Sequence, residues 1–419
     1  MTTDGRHPHP GPPVAGRPAD AVPPGAPPLP AWEERLREQL EIGGLWTRDT
    51  RGPSYARLRP YGPRTTPGFP VHPDLEERLL CAPRHPDPVI AHVLATCAAY
   101  AYAGAETVSM IMARMGLEQN HCRMIGTSVD AMFVRSTAFL VQSASGRVAI
   151  LCYRGTPPTD GIAWMTDADV QPERMPYRFG DPRATVHAGF YRNVRATRYE
   201  VLAALKRACR GRSVRALLPD EPDVARMAEL EALYVTGHSL GGAMAAMMAV
   251  MLRHERKFRD EDDVAGRLRA VYTYGQPMIG DPRFARACEA DPFLAREVIR
   301  YVYDNDVVPH LPPRTAGPYR HFGREYRYEV PHLRHGVLGL SRHLGHAYDV
   351  HRGALREHTR FAGQAATFLG GLGLAALAFA GSRVRPLGAL PVVYSFEDHG
   401  PQHYIAAVTP PGVQNEFGD

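Results

Sequence analysis

The chain has 419 residues, a length that suits one large domain with additions or two domains. Hydrophobic residues make up 44% of the sequence, which allows a substantial buried core. The 49 Lys and Arg and the 44 Asp and Glu are nearly balanced and interspersed, and this excludes the clustered basic surface of a nucleic-acid-binding protein.

The cysteines and the N-terminal residues bear on metal binding, redox chemistry and the cellular compartment. The six cysteines are scattered without Cys-x-x-Cys spacing, so the sequence predicts neither a zinc site nor a redox motif. No apolar segment follows a basic start, so we identify no secretory signal and expect a cytoplasmic location with reduced thiols. The net charge of +5 permits contact with anionic lipid surfaces without requiring it.

The first part of the chain is predicted to be a tail followed by helices. Residues 1–31 are dominated by Pro, Gly and Ala, and we expect disorder because this composition cannot bury enough apolar surface. Residues 32–125 are predicted to form a helical region. Helical patterns cover 73–80 and 88–115, and the nearly continuous small and apolar residues of 89–103 indicate a buried helix.

Residues 126–330 alternate strand and helix patterns. The apolar run at 147–153 is typical of a central strand buried on both faces. The other predicted elements are a strand meander at 131–141, a helix at 191–209, and strands at 233–236, 268–274 and 297–303. This alternation predicts an α/β fold with a mostly parallel central sheet and helices on both faces.

Residues 331–384 interrupt the alternation and are predicted to form a helical insertion or lid, after which residues 385–419 return to the core with a last strand. Within the insertion, residues 361–380 are apolar over about the 20 residues that a membrane helix needs. Their many Gly and Ala favour a packed or lid helix instead, with membrane-facing or peripheral lipid contact as the alternative. The six histidines between 332 and 358 fit no standard ligand spacing, so we predict no metal and no cofactor.

The clearest chemical signal lies at residues 233–250. An apolar, β-rich run leads into Gly-His-Ser-Leu-Gly at 237–241, and a small, apolar helix pattern follows. This order is that of a nucleophile elbow, in which Ser239 projects its hydroxyl from a strained turn and the glycines avoid collisions. The N-terminus of the helix would face a developing oxyanion. The alternative is a Gly-rich turn in which Ser239 only caps the helix.

A serine hydroxyl is a weak nucleophile unless a base accepts its proton and a third group holds that base. In this fold an acid and then a histidine follow the serine along the chain. Asp304 and Asp306 directly follow the strand predicted at 297–303, and His399 and His403 follow an apolar run near the C-terminus. Position alone does not choose between the two histidines.

Five sequence blocks resemble the class 3 lipases, an α/β-hydrolase family that includes fungal triacylglycerol lipases. The blocks lie at 153–156, 186–190, 235–243, 274–281 and 306–313. The resemblance implies Ser239 as the nucleophile, Asp306 as the acid because it stands before x-Val-Pro, and His399 as the base. Tyr404 occupies the place of a tyrosine that follows the base in the family.

The resemblance also implies residues around the reacting group. The oxyanion donors would be the N–H of Leu240 and the N–H of Thr156, with the Thr156 hydroxyl as a further candidate. Trp164 and His238 are predicted to contact substrate, although residues of both types are also typical of packing or hydrogen bonding at such places. The acid and the base stand 93 residues apart, farther than is usual in the family, and the loop after Thr156 differs from fungal lids, so substrate choice does not transfer.

The sequence therefore predicts a serine hydrolase that cleaves carboxylic esters of lipids, acylglycerols or phospholipids, through an acyl-enzyme. Its partners would be a lipid ester and, through 361–380, a lipid interface, with no nucleic acid. Two alternatives stay open, because a fold alone does not give a function. They are a small-ester hydrolase without lipid preference and a non-catalytic binding protein on a hydrolase fold.

Overall fold

A computed structural model describes the part of the chain that carries the predicted core. The described residues are 70–82, 86–129, 134–155, 172–175, 179–215, 226–254, 263–329, 353–359 and 397–413. The predicted tail at 1–31, the apolar segment 361–380, the apolar run before His399, Thr156 and Trp164 lie outside these residues.

One eight-stranded sheet organises the described residues, and a two-stranded sheet of β4 and β5 accompanies it. The strands are β1 (His121–Val129), β2 (Val134–Gln142), β3 (Val148–Tyr153), β4 (Pro172–Arg174), β5 (Thr185–His187), β6 (Ala232–His238), β7 (Leu268–Tyr274), β8 (Val298–Tyr303), β9 (Arg324–Glu329) and β10 (Ala354–His358). Their order in the large sheet is β1-β2-β3-β6-β7-β8-β9-β10. The central pairs from β3 to β9 are parallel, whereas β1, β2 and β10 pair antiparallel with their neighbours.

Helices cover both faces of this sheet. They are α1 (Leu75–Cys81), α2 (Pro88–Tyr100), α3 (Ala105–Met115), α4 (Ala188–Cys209), α5 (Leu240–His254), α6 (Val264–Arg267), α7 (Pro282–Ala290), α8 (Pro292–Glu297) and α9 (Pro401–Val408). Leu151 of β3 belongs to the apolar cluster that includes α4 and α5, whereas Ile150 belongs to the cluster that includes α1, α2, α3 and α9. Because successive side chains of a strand point to opposite faces, β3 is buried on both sides, as its sequence predicts. The predicted α/β-hydrolase architecture is confirmed.

The same start signal sets the beginning of three helices. Asp87, Asp281 and Asp291 each stand before a proline, and each side chain accepts hydrogen bonds from two backbone N–H groups of the first turn. Proline is tolerated at this place because the first N–H groups of a helix have no intrahelical acceptor. The capped starts fix the residue at which each of these three helices begins.

The predicted elements differ from the structure in the first half of the chain. The helix predicted at 88–115 is two helices, because the chain turns after Tyr100 and Gly104 adopts a φ of +125° before α3. The first strand begins at His121, earlier than the predicted meander. The strand at β5 ends at His187, so the rest of the 186–190 block opens α4 rather than extending the strand.

One part of the predicted helical insertion is a strand. Ala354–His358 forms β10 and pairs antiparallel with β9 at the edge of the large sheet. Most of its residues are exposed, and the pairing is supported by an ion pair from Glu357 to Arg324 and by the 3.2 Å contact between Nε2 of His358 and the carboxylate of Glu329. The prediction of helix is therefore wrong for these residues, while the rest of 331–384 lies outside the described part of the chain.

No helix within the described ranges is long and apolar enough to cross a membrane. Among the same residues, no group of three or more His, Cys, Asp or Glu side chains could hold a metal ion.

Candidate active site

Ser239 stands at a strained turn between a strand and a helix. β6 ends at His238 and α5 begins at Leu240, so Ser239 alone makes the connection. Its φ is +60°, in the left-handed region that residues other than glycine rarely adopt, and its N–H donates to the carbonyl of Tyr274 at 2.8 Å. Ser239 is only 9% exposed, so its hydroxyl lies within the fold at the C-terminal edge of the parallel strands.

Two glycines make the turn possible. A Cβ on Gly237 would stand 2.3 Å from the carbonyl carbon and oxygen of Gly241. A Cβ on Gly241 would stand 2.2 Å from the carbonyl oxygen of Tyr153, at the end of β3. Any larger residue would therefore push α5 away from β6 or β3, which confirms the collision that the sequence predicts at these two places.

Asp306 is the fully buried acceptor at the centre of the site. It follows β8, and its Oδ1 accepts the N–H of Val308 at 2.8 Å, which fixes the carboxylate. Its Oδ2 accepts the Nδ1–H of His399 at 2.8 Å and also the hydroxyl of Tyr404. The Tyr404 hydroxyl in turn accepts the N–H of Tyr303 at 3.2 Å. Burial and the neighbouring carboxylate of Asp306 raise the pKa of Tyr404 well above its usual value, so Tyr404 stays protonated and donates.

The structure brings His399, and not His403, to the acid. His399 lies in a 3₁₀ turn at Glu397–His399, and its Nδ1 faces Asp306. His403 lies on α9 and stacks on the ring of Tyr303, with the ring centroids 5.1 Å apart. Because an ionised carboxylate only accepts, Nδ1 of His399 carries a proton, and in the neutral form of the ring Nε2 is the nitrogen with the lone pair.

No hydrogen bond from any described residue, Ser239 included, reaches Nε2 of His399. The hydrogen bond between the acid and the base is therefore formed, while the hydrogen bond from the serine hydroxyl to the base is not. Nε2 of the buried His399 imidazole lies beside the elbow without a hydrogen-bond partner among the described residues, so in the neutral ring it could accept a proton.

Gly275 lies against both members of this pair, and sequence reasoning gave it no role. Its φ is +60°, and a Cβ there would stand 2.8 Å from Cε1 of His399 and 3.0 Å from Oδ2 of Asp306. The sequence offered one signal, which is a glycine directly after the strand at 268–274. Only a residue without a side chain leaves room for the imidazole at this place.

His238 lies beside the pair and uses both of its ring nitrogens within the protein. Its Nε2 donates to the carbonyl oxygen of His399 at 2.8 Å, and its Nδ1 accepts the hydroxyl of Tyr102 at 3.0 Å. The rings of His238 and His399 have centroids 4.5 Å apart. Because both nitrogens are already hydrogen-bonded, His238 has no ring nitrogen left to bond to a substrate. Contact between a substrate and the carbon edge of the His238 ring stays a prediction. Sequence reasoning missed Tyr102, because no local pattern places residue 102 beside residue 238.

The predicted oxyanion donors lie partly outside the described residues. Leu240 is the first residue of α5, where the backbone N–H groups have no intrahelical acceptor and the positive end of the helix dipole lies. The described chain ends at Gly155 on this side, one residue before Thr156. The roles of Thr156 and Trp164 therefore stay predictions.

Comparisons with known proteins agree with this geometry. Residues 150–316 match the sequence profile of the family described as lipase (class 3). The chain is 46% identical over 94 residues to triacylglycerol lipase OBL1 of Nicotiana tabacum, which is 21% of this chain and 15% of the tobacco protein. It is 30% identical over 219 residues to triacylglycerol lipase OBL1 of Arabidopsis thaliana, 44% of this chain and 38% of the Arabidopsis protein. The matches thus span less than half of these relatives.

Among the solved structures that match this chain is the native propeptide complex of Rhizomucor miehei lipase. It has a TM-score of 0.44 and 19% sequence identity, and the match covers 83% of this chain and 90% of that one. The segment matched by the family profile contains the elbow serine and the buried Asp306 that accepts the His399 imidazole. Over residues 150–316 the chain is therefore similar to the class 3 lipase family.

Proposed function

We propose that this protein is a serine hydrolase that cleaves carboxylic esters of lipids at Ser239. The observation that carries the proposal is the 2.8 Å hydrogen bond from Nδ1 of His399 to Oδ2 of Asp306, beside the strained turn of Ser239. A strained elbow serine and a neutral, oriented imidazole are the two parts that nucleophilic acyl transfer needs.

In the first half of the reaction, the Ser239 hydroxyl oxygen attacks the ester carbonyl while Nε2 of His399 takes the hydroxyl proton. The imidazolium that forms is stabilised by the carboxylate of Asp306, which does not itself become protonated. The bond from carbon to the alcohol oxygen then breaks, the alcohol takes the proton from Nε2, and the acyl group stays on Ser239.

In the second half, water attacks the acyl-enzyme and gives its proton to Nε2, and the carboxylic acid leaves as Ser239 regains its hydrogen. The charge on the tetrahedral oxygen would be met by the N–H of Leu240 and by Thr156. One such donor typically contributes about 3–4 kcal/mol to transition-state stabilisation.

The substrate class is supported by the relatives, whose names describe triacylglycerol lipases. Acylglycerols are therefore the first candidate, and phospholipid esters are the second. Contact with a lipid interface through 361–380 and a cytoplasmic location belong to the same proposal. Membrane flotation of the 419-residue chain with and without 361–380 would test the interface contact, and fractionation of the cells that make the protein would test the location.

The test of the reaction is turnover of p-nitrophenyl esters of increasing chain length, followed by a triacylglycerol emulsion and phosphatidylcholine vesicles. We expect Ser239→Ala to lower kcat by about 10⁴-fold or more. Ser109→Ala is a matched control, because the Ser109 hydroxyl donates to Asn120, which the proposed reaction does not use, and we expect its loss to leave turnover unchanged.

The two candidate histidines give a second matched pair. We expect His399→Phe to abolish turnover and His403→Phe, which keeps an aromatic ring against Tyr303, to retain it. A preference for acetate and butyrate esters with no activity on emulsions would favour the small-ester alternative. No turnover of any ester, or turnover that survives Ser239→Ala, would leave only the non-catalytic alternative.

A further inference from the structure

We propose that Tyr102 and His238 form a positioning relay that fixes the main chain of His399. The relay consists of two hydrogen bonds, from the Tyr102 hydroxyl to Nδ1 of His238 and from Nε2 of His238 to the carbonyl oxygen of His399. The inference rests on the proposed function, in which His399 accepts the proton of the serine hydroxyl.

The direction of both hydrogen bonds follows from chemistry. A carbonyl oxygen only accepts, so Nε2 of His238 carries its proton and donates to His399. Nδ1 of a neutral imidazole that is protonated on Nε2 has a lone pair, so the Tyr102 hydroxyl must donate to it. The relay therefore has one polarity, running from Tyr102 through His238 to His399.

Burial keeps this polarity over the working range of the enzyme. His238 is almost fully buried, and this burial lowers its pKa well below the ordinary histidine value, with His399 adding to the effect. A neutral His238 also places no positive charge against the His399 ring 4.5 Å away, where an imidazolium must form. A charged ring there would oppose the proton transfer.

The relay connects the nucleophile to the base through a single residue, His238. His238 directly precedes Ser239, so its backbone moves with the elbow, while its ring holds the carbonyl of His399. His399 itself lies in a single 3₁₀ turn, which supplies little rigidity of its own. The separation between the Ser239 hydroxyl and Nε2 is therefore set through His238.

Tyr102 supports His238 from the opposite side. It lies in the turn between α2 and α3, and its hydroxyl oxygen packs so closely on Gly155 that a Cβ there would stand 2.2 Å away. The same Cβ would stand 2.6 Å from the carbonyl oxygen of His238. Tyr102 thus packs between the end of β3 and the elbow, and its hydroxyl holds the His238 imidazole by a hydrogen bond.

The test measures kcat and KM on a soluble p-nitrophenyl ester for single and double variants. We expect His238→Phe to lower kcat about 100-fold with little change in KM, because the base is displaced while substrate binding is not. We expect Tyr102→Phe to lower kcat about fivefold, the effect of one lost hydrogen bond. His238→Gln, whose amide can still donate to the His399 carbonyl, should recover about tenfold over His238→Phe.

The double variant separates a relay from two independent structural effects. Because the Tyr102 hydroxyl is linked to His399 by hydrogen bonds through His238, Tyr102→Phe should add no more than about twofold to the loss caused by His238→Phe. A loss equal to the product of the two single effects, or a His238→Gln variant no better than His238→Phe, would overturn the relay. Tyr234→Phe is the matched control, because it loses one buried hydroxyl bond, to the Leu79 carbonyl, and should leave kcat unchanged.

A readout without turnover keeps the relay testable if no ester is cleaved. The proton on Nδ1 of His399 should give a downfield proton NMR signal, assigned by its absence in His399→Phe. We expect this signal to shift or broaden in His238→Phe and to persist in Tyr234→Phe. An unchanged signal in His238→Phe would contradict the relay. Lack of turnover by the wild-type protein would contradict only the proposed reaction.

Discussion

Gly275 and the imidazole of His399 are in such close contact that no side chain fits between them. A Cβ on Gly275 would lie 2.8 Å from Cε1 and 2.9 Å from Nδ1 of His399. The acid–base pair thus depends on a glycine at the end of a strand that carries neither member of the pair. The position also needs a φ of +60°, which glycine adopts without strain.

We expect Gly275→Ala to lower kcat about 100-fold or more, because the added methyl group displaces the imidazole from Asp306. The measurement is kcat on a soluble ester beside the unfolding midpoint in urea. Gly412→Ala is the matched control, since Gly412 also has a positive φ of +80° but a Cβ there meets nothing within 4 Å. Equal losses of activity in both variants would refute the contact argument.

Tyr404 should matter for the rate as well as for stability. Tyr404→Phe removes the hydroxyl that donates to Asp306 and accepts from the N–H of Tyr303. We expect a loss of about 1–3 kcal/mol in the free energy of unfolding, because the buried hydroxyl and both of its hydrogen bonds are lost. We also expect kcat to fall about tenfold, since the carboxylate loses one of its donors. A variant that is destabilised but fully active would mean that Tyr404 only supports the fold.

The strain at Ser239 should be measurable as a stability difference between two inactive variants. Ser239→Ala keeps a side chain in the left-handed region, whereas Ser239→Gly removes that cost of about 1–2 kcal/mol and adds about 0.5–1 kcal/mol of unfolded-chain entropy. We therefore expect Ser239→Gly to be the more stable by about 0.5–1 kcal/mol. Urea unfolding of both variants tests this, and a more stable Ser239→Ala would contradict it.

His92 should make the protein sensitive to acid. It lies in the core on α2, neither ring nitrogen has a hydrogen-bond partner among the described residues, and burial, with His72 adding to it, lowers its pKa to about 3. The unfolded chain binds this proton near pH 6.5, so the stabilising contribution is complete above that pH and is lost as the pH falls towards 3.

We expect His92→Phe to remove this part of the acid sensitivity. Between pH 7.5 and pH 5 the wild-type protein should lose about 2 kcal/mol more unfolding free energy than the variant. Urea titrations of both proteins at the two pH values measure the difference. Parallel losses would show that His92 is not the group that titrates. At pH 7.5 the variant should be at least as stable as the wild type, because no hydrogen bond is removed.

Local patterns predicted the elements that follow local rules. The apolar run of β3 and the elbow from β6 to α5 were predictable, because burial on both faces and the sharp turn each require particular residues at adjacent positions. The elbow geometry of Ser239 therefore follows from a stretch of fewer than twenty residues.

Contacts between distant segments were not predictable in this way. Gly275, Tyr102 and His238 act on His399 across more than 120 residues of chain, and nothing in their neighbourhoods indicates those partners. The edge strand β10 was missed for a different reason. Its residues are mostly exposed and its support comes from charged pairs with β9, so it lacks the apolar alternation by which strands are recognised.

The attachment of α9 has a consequence for how the protein would lose activity. This helix has eight residues and begins two residues after His399, at Pro401. It packs on α2 and β8, and its buried side chains include Tyr404, Ile405 and Val408. Short peripheral elements open at a lower free-energy cost than the centre of a sheet. Mild denaturant should therefore inactivate the enzyme by releasing this helix while the central strands still resist hydrogen exchange, and dilution should restore the rate without a full refolding step.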